Sequence, residues 1–275
     1  MPELPEVETI VRTLSPQVKD RVINAVHTFL PKTFAAGAEI AASAFPARIL
    51  GVRRRGKLLL MDIEGGYVLA FHLKMTGKLF VYGEKEKPHK HTRMAFDLAA
   101  EGGLPAARLF FDDIRTFGFC RLMKPEDLPT WPFWKKLGPE PLTLGKSAFI
   151  AAFKGKRGAI KALLLDQTMI AGIGNIYADE ACFRTNIRPS SPASALTDTQ
   201  LATLLENVKA VLNESIAECG SSIRDYRDAN GDAGAFQNLF RVYGRTGQEC
   251  LTCKAVLEKT VVAGRTTVFC PKCQK

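Results

Sequence analysis

The sequence predicts an α+β protein: an N-terminal antiparallel β-sandwich with flanking helices, then a C-terminal helical domain carrying a helix–two-turn–helix motif and a four-cysteine hairpin. Three observations carry this. Short β-prone runs, punctuated by Gly and Pro, fill residues 20–125. Helical periodicity takes over beyond a proline-rich stretch. Two Cys-x-x-Cys knuckles, Cys250/Cys253 and Cys270/Cys273, stand near the C-terminus. A length of 275 residues suits about two domains and a sizeable core.

Charge narrows the partner. Lys plus Arg number 38 against 28 Asp plus Glu, a net charge of +10, so an anionic partner is expected. Hydrophobic residues at 46% and charged residues at 24% argue against disorder. No apolar run approaches the ~20 residues of a membrane span. The N-terminal residues are acidic where a signal peptide carries base. The expectation is a cytoplasmic protein with no membrane partner.

The elements follow in order. Leu4–Leu14 reads as a helix: Pro5 suits its first turn, Glu6 and Glu8 its positive end, and Val7, Ile10, Val11 and Leu14 make one buried face. Runs such as 57–61, 67–71 and 108–111 then read as strands. Residues 125–145 hold five prolines with Trp131, Trp134 and Gly138, a stiff linker. Helices are expected over 159–166 and 176–183, flanking the break at Gly172-Ile173-Gly174-Asn175, whose free N–H groups can hold a phosphate. Thr197-x-x-Gln200 opens a further helix with Leu201, Leu204, Leu205, Val208, Val211, Leu212 and Ile216 on one face and Gly220 as its stop. The predicted boundaries are 1–130, a linker at 131–146, 147–240 and 241–275.

The four clustered cysteines are separated, pair from pair, by 16 residues, the spacing of a four-thiolate zinc site; two disulfides are the alternative. Between them, 261–262 and 266–269 read as strands with Ala263-Gly264-Arg265 as the turn. Residues 241–275 carry seven Lys/Arg against two Glu, half the net charge, so the hairpin is expected to grip phosphate. Cys120, Cys182 and Cys219 read as buried reduced thiols.

The terminus carries its own chemistry. With Met1 removed, Pro2 presents a secondary amine, which condenses with an aldehyde carbon to an iminium, an electron sink. The helix start lowers the pKa of that amine and the neighbouring carboxylates raise it. Glu3 and Glu6 flank it as candidate acids or bases.

Taken together, Pro2-Glu3-Leu4-Pro5-Glu6-Val7-Glu8, Lys57 after Arg-Gly, His72-Leu73-Lys74-Met75, Asp113-Ile114-Arg115-Thr116-Phe117-Gly118, Asp166-Gln167 through Gly172-Ile173-Gly174-Asn175-Ile176-Tyr177, and the four-cysteine ribbon occur in one order that closely resembles the bacterial formamidopyrimidine-DNA glycosylases, from residue 2 to the C-terminus. The resemblance implies base-excision repair of oxidised purines in duplex DNA. Pro2 would be the nucleophile at C1′, Glu3 the acid at the sugar ring oxygen, Glu6 a supporting carboxylate and Lys57 the basic residue facing the lesion. The lesion must leave the duplex. Met75, Arg115 and Phe117 match the side chains that fill the hole, although Met75 and Phe117 alone would read as core. His72, Lys161, Asn175 and Arg265 are implied DNA contacts, with Arg265 also in the catalytic set. Ser221, Ser222, Ile223, Arg224, Asp225 and Tyr226 match the loop over the extruded base and lead into 228–234, a mobile composition. One structural Zn²⁺ and a monomer are implied.

Three positions depart from the family pattern: Lys254 where glycine often follows the knuckle, Thr76 where an acidic or small residue is common, and Asp225 where a hydroxyl residue is common. Two other readings stand beside this one. Leu4 differs from the glycine usual in the endonuclease VIII type, which removes oxidised pyrimidines. A zinc-dependent DNA-binding protein without catalysis would share the charge and the ribbon but would need neither Pro2, Glu3 nor Lys57.

Overall fold

A computed structural model of the chain describes residues 1–35 and 43–275. They pack as two compact units, Met1–Lys135 with Cys219–Gly234, and Lys136–Glu218 with Ala235–Lys275.

The first unit opens with α1 (Leu4–Val18), whose Val7, Ile10, Val11 and Leu14 are buried as the periodicity requires. Its strands are β1 (Val22–Thr28), β2 (Phe34–Ala35), β3 (Ala47–Arg55), β4 (Leu58–Ile63), β5 (Tyr67–His72), β6 (Gly77–Gly83), β7 (Thr92–Leu98), β8 (Ala107–Asp113) and β9 (Phe119–Met123). They form one nine-stranded sheet in the order β2-β9-β5-β4-β3-β1-β7-β8-β6, antiparallel except where β2 runs parallel to β9. The expected two sheets are thus two halves of one sheet, hydrogen-bonded through β1 and β3 at Val22↔Arg48 and Ile23↔Ala47. The halves face each other across a common core. Phe71 of β5 meets Phe96 of β7 and Phe111 of β8 edge-on, with ring centroids 5.8 Å apart in both pairs. Leu59, Met61 and Leu69 from one half and Met94 and Leu109 from the other fill the same cluster as Ile10 and Leu14 of α1.

Residues 219–234 follow a helix in sequence yet belong to this first unit, unlike the expected boundaries. The reason is hydrogen bonding to α1: the Ala229 N–H donates to Thr13 Oγ1 at 3.1 Å and Gln17 Nε2 donates to Asn230 Oδ1 at 3.0 Å. The stretch read as mobile closes on itself, with Asp228 Oδ1 accepting the N–H groups of Asn230 and Asp232, each at 2.9 Å.

The second unit holds α2 (Lys146–Phe153), α3 (Ile160–Leu165), α4 (Asn175–Arg184) and α5 (Asp198–Ala217). Thr197 and Gln200 form the expected capping box. The Tyr177 and Ser215 hydroxyls bond at 2.7 Å between α4 and α5. The turn before α4 is closed by one side chain: Gln167 Nε2 donates to the Ile173 carbonyl at 2.8 Å while its Oε1 accepts the Gly172 N–H at 2.9 Å. The ribbon hairpin pairs β10 (Glu258–Val262) with β11 (Arg265–Phe269). Its turn is Ala263–Gly264, both at positive φ, so Arg265 is the first residue of β11, opposite Val262, and not part of the turn. Among the described residues no helix is long and apolar enough to cross a membrane.

Candidate active site and nucleic-acid interface

In the first unit Pro2 and Glu3 are buried at the start of α1. Glu3 is the N-cap, and with Glu6 it forms a capping box. Glu6 does more than complement the helix dipole. Its Oε2 accepts the Glu3 N–H at 2.8 Å and its Oε1 accepts the Ser221 N–H at 2.8 Å. One carboxylate therefore ties the terminus to the start of the 221–226 loop. Gly220 makes this approach possible: at φ +85, a Cβ there would lie 3.1 Å from Glu6 Cγ. The Tyr226 hydroxyl reaches the Glu6 and Cys219 carbonyls at 3.3 and 3.2 Å, and Ser222 Oγ donates to the Tyr226 carbonyl at 3.0 Å. Ile223, Arg224 and Asp225 are exposed at the loop's outer face. Cys219, read as buried, is exposed, and it takes the left-handed C-terminal position of the helix before Gly220 does. Cys120 and Cys182 are buried, as expected.

Lys57 sits at the turn between β3 and β4 and is buried. The adjacent arginines are not a free charge run: Arg53 pairs with Asp62 at 2.7 Å, Arg54 with Glu8 at 3.0 Å, and Arg55 stacks over Trp134. His72, at the end of β5, is held by Phe119 and Phe133, each with ring centroids 5.6 Å away. Burial, then Lys74 and Lys57, lower its pKa to about 3, so the ring is neutral. Its Nδ1 accepts the Lys74 N–H at 3.1 Å, which leaves the proton on Nε2. The segment read as a linker thus begins, at Trp131 and Phe133, as the wall behind His72.

Met75, Arg115 and Phe117 are brought together on the surface. Met75 is 42% and Phe117 55% exposed, so neither serves the core. Arg115 Nη1 lies 2.8 Å from Met75 Sδ, and its guanidinium is 4.9 Å from the centre of the Phe117 ring. Asp113, which sequence reasoning missed as an organiser, fixes their loop: its carboxylate accepts the N–H groups of Arg115 and Gly118 at 3.2 and 2.7 Å. Thr76, read as a departure, has a role here. Its hydroxyl donates to Asp113 Oδ1 and accepts the Arg115 N–H at 3.0 Å, joining the Met75 turn to the Arg115 loop. An aspartate opening a short loop that a glycine closes five residues on, Asp113 to Gly118, is the signal that could have found it.

The second unit brings Asn175 and Arg265 onto neighbouring backbone. Asn175, the first residue of α4, donates its Nδ2 to the Thr266 carbonyl at 3.1 Å, and Arg265 is exposed beside it in sequence. Lys161 does not reach the surface and is corrected as a direct DNA contact. It is fully buried, 2.7 Å from Asp179 Oδ1 and 2.7 Å from Thr267 Oγ1. Burial raises the Asp179 pKa to about 6 against the pull of Lys161. Glu180, also buried and shifted upward by burial, accepts the N–H groups of Arg241, Val242 and Tyr243. In the sequence these acids were legible only as two charges set among the apolar residues of 176–183.

The four cysteine sulfurs lie within 4.8 Å of one another, with Cys253–Cys270 at 3.4 Å and Cys250–Cys273 at 3.9 Å. A disulfide needs ~2.05 Å. Four thiolates about 2.3 Å from a central zinc sit roughly 3.8 Å apart. The donor set and spacing fit one structural Zn²⁺. Lys254 follows the knuckle at φ +64, the left-handed conformation that explains why glycine suits this position; its N–H still closes the knuckle on the Cys250 carbonyl at 3.0 Å.

Comparison with known proteins agrees with this geometry. Residues 1–120 match the formamidopyrimidine-DNA glycosylase N-terminal domain, 137–227 the formamidopyrimidine-DNA glycosylase H2TH domain, and 247–275 the zinc finger found in FPG and IleRS. The chain is 58% identical to a formamidopyrimidine-DNA glycosylase of Nitratidesulfovibrio vulgaris over 82% of its own length and 60% of that relative's. It is 42% identical to one from Desulfitobacterium hafniense with both chains fully covered. Wild-type Lactococcus lactis Fpg bound to DNA containing N7-benzyl-Fapy-dG superimposes with a TM-score of 0.90 at 34% identity, covering all of both chains. The L. lactis complex with abasic-site DNA gives 0.90 at 33% identity over 99% of each. On sequence, fold and cysteine geometry alike, this chain belongs to the formamidopyrimidine-DNA glycosylase family.

Proposed function

We propose that this chain excises oxidised purines from duplex DNA and cuts the resulting abasic site, with Pro2 as the covalent nucleophile. The observation that carries the assignment is the Glu6 carboxylate, which ties the Pro2–Glu3 terminus to the 221–226 loop beside Gly220. A nucleophile and the cover for an extruded base are thereby set from one point.

In this reading the Pro2 amine attacks C1′ and the C1′–N bond to the base breaks, the base leaving with the proton the amine gives up; Glu3 then protonates the ring oxygen O4′, the C1′–O4′ bond opens, and the nitrogen lone pair forms the C1′ iminium. The iminium acidifies the C2′ proton. Its loss drives β-elimination, breaking the 3′ C–O bond, and δ-elimination then breaks the 5′ bond. Glu6 supports the terminus, and Lys57 and the neutral His72 face the lesion's backbone. Met75, Arg115 and Phe117 fill the gap, Arg115 bonding the orphaned base and Phe117 stacking at ~1–3 kcal/mol. That offsets much of the few kcal/mol that extrusion costs. Asn175 and Arg265 hold phosphates, with Arg265 also serving the eliminations. The zinc, when bound, supplies only the fixed geometry of its hairpin. We further infer a cytoplasmic monomer, since one asymmetric DNA site offers nothing to a symmetric partner.

Borohydride trapping on duplex DNA with 8-oxoguanine opposite cytosine is the test. A covalent adduct is expected from the wild type and not from a Pro2→Glu variant, whose bulky second residue keeps Met1 and leaves no amine at position 2. Trapping only on oxidised pyrimidines, or salt-sensitive binding with no trapping, contradicts the proposal.

A further inference from the structure

We propose that Lys161, Asp179 and Thr267 form a buried positioning relay that sets Arg265 and Asn175 for their phosphate contacts, an inference that rests on the phosphate reading of those two residues. The ammonium of Lys161 is ion-paired with Asp179 Oδ1 at 2.7 Å and donates to Thr267 Oγ1 at 2.7 Å and to the Thr266 carbonyl at 3.3 Å. Thr267 passes the constraint on, its hydroxyl donating to the Arg265 carbonyl at 3.0 Å. The Thr266 carbonyl also receives Asn175 Nδ2 at 3.1 Å. The second Asp179 oxygen accepts the Val268 N–H at 3.2 Å. One buried cation on α3 therefore fixes successive residues of β11 and, through Thr266, the first residue of α4.

Lys161, Asp179 and Thr267 are all fully buried, so none can touch DNA as the structure stands. An apolar pair could fill the place of Lys161 and Asp179 at a lower desolvation cost. It could not supply the bonds to Thr267 and Thr266. The ladder between β10 and β11 fixes the hairpin internally; Phe183 packing and the Gln274 bond to the Ile187 carbonyl hold the ribbon's base to the helices, and the relay holds residues 265–267.

Thr267→Val keeps the volume and removes the hydroxyl, whereas Thr267→Ser keeps the hydroxyl. With Thr267→Val, we expect affinity for a duplex carrying a tetrahydrofuran abasic analogue to fall about tenfold. The slope of log affinity against log salt should lose roughly one phosphate. Zinc content stays at the wild-type level, and Thr267→Ser restores affinity and slope. Wild-type affinity and slope in zinc-loaded Thr267→Val overturn the relay. The double variant Lys161→Met/Asp179→Leu leaves no unpaired charge: it loses the same affinity if the ammonium sets the hairpin and keeps it if the pair only packs. Asn175→Ala and Arg265→Ala separate the two claims. If they bind normally, the phosphate reading itself falls; if they bind weakly while Thr267→Val does not, only the relay falls.

Discussion

The two units hold their working side chains by opposite means. In the first, Asp113 and Glu6 fix backbone N–H groups and leave the side chains of the loops they organise on the surface: Arg115 and Phe117 around Asp113, Ile223 and Arg224 beyond the Glu6–Ser221 bond. In the second, Asn175 and Arg265 are held from beneath, by the Lys161–Asp179 pair and a four-cysteine centre. A carboxylate that grips backbone leaves side chains free to enter a duplex. Buried charge and metal make a grip that does not adapt. The first arrangement suits groups that must move into a gap, the second groups that meet a phosphate at one spacing.

The largest expected effect breaks the second unit. Chelation of zinc, or Cys250→Ser, should unfold the ribbon and cost more DNA affinity than any single side-chain change below. The first unit, which owes nothing to the metal, should keep its far-UV dichroism. Retained affinity in metal-free protein would show that the hairpin holds its shape without the ion.

The next effect separates display from stability within the first unit. Phe117→Ala should leave unfolding free energy within about 0.5 kcal/mol of wild type, as expected of an exposed residue. It should weaken lesion binding by ~1–3 kcal/mol. Asp113→Ala should do both, costing about 2 kcal/mol of stability by stranding the Gly118 N–H and taking the acceptor of the Thr76 hydroxyl. Urea unfolding and titration with lesion duplex read the two quantities separately. Equal stability losses in the two variants would remove the distinction.

The effect that is smallest at neutral pH is a slope from His72, which opens only in acid. Its folded pKa is about 3, below the ordinary 6.5. The unfolded chain binds a proton that the folded chain refuses, so stability is present above pH 6.5 and falls as pH drops toward 3, by at most about 1.4 kcal/mol per unit. His72→Asn should flatten that part of the urea-unfolding profile between pH 6.5 and 5. An unchanged slope would place the titration elsewhere.

Sequence carried the elements with strong local signals: the amphipathic face of α1, the Thr197–Gln200 box and the spacing of the four cysteines. It raised the chemistry of Pro2 as an expectation, since a proline that follows Met1 becomes a secondary amine once Met1 is removed. What it could not carry depended on distant partners. Joining two half-sheets at Val22↔Arg48 needs tertiary pairing. Lys161 was expected as a DNA contact because nothing local in the sequence announces Asp179 and Thr267 as its buried partners. Thr76 looked like a departure until Asp113 stood opposite it. Residues 228–234 read as mobile because their composition says turn, while their anchoring comes from Thr13 and Gln17 on α1.

Peptide mapping of the borohydride-trapped complex tests the central claim most directly. The account predicts that the trapped sugar is carried by a peptide beginning at Pro2, with Met1 absent. Attachment at Lys57 instead, or full strand scission by protein that retains Met1, would contradict it.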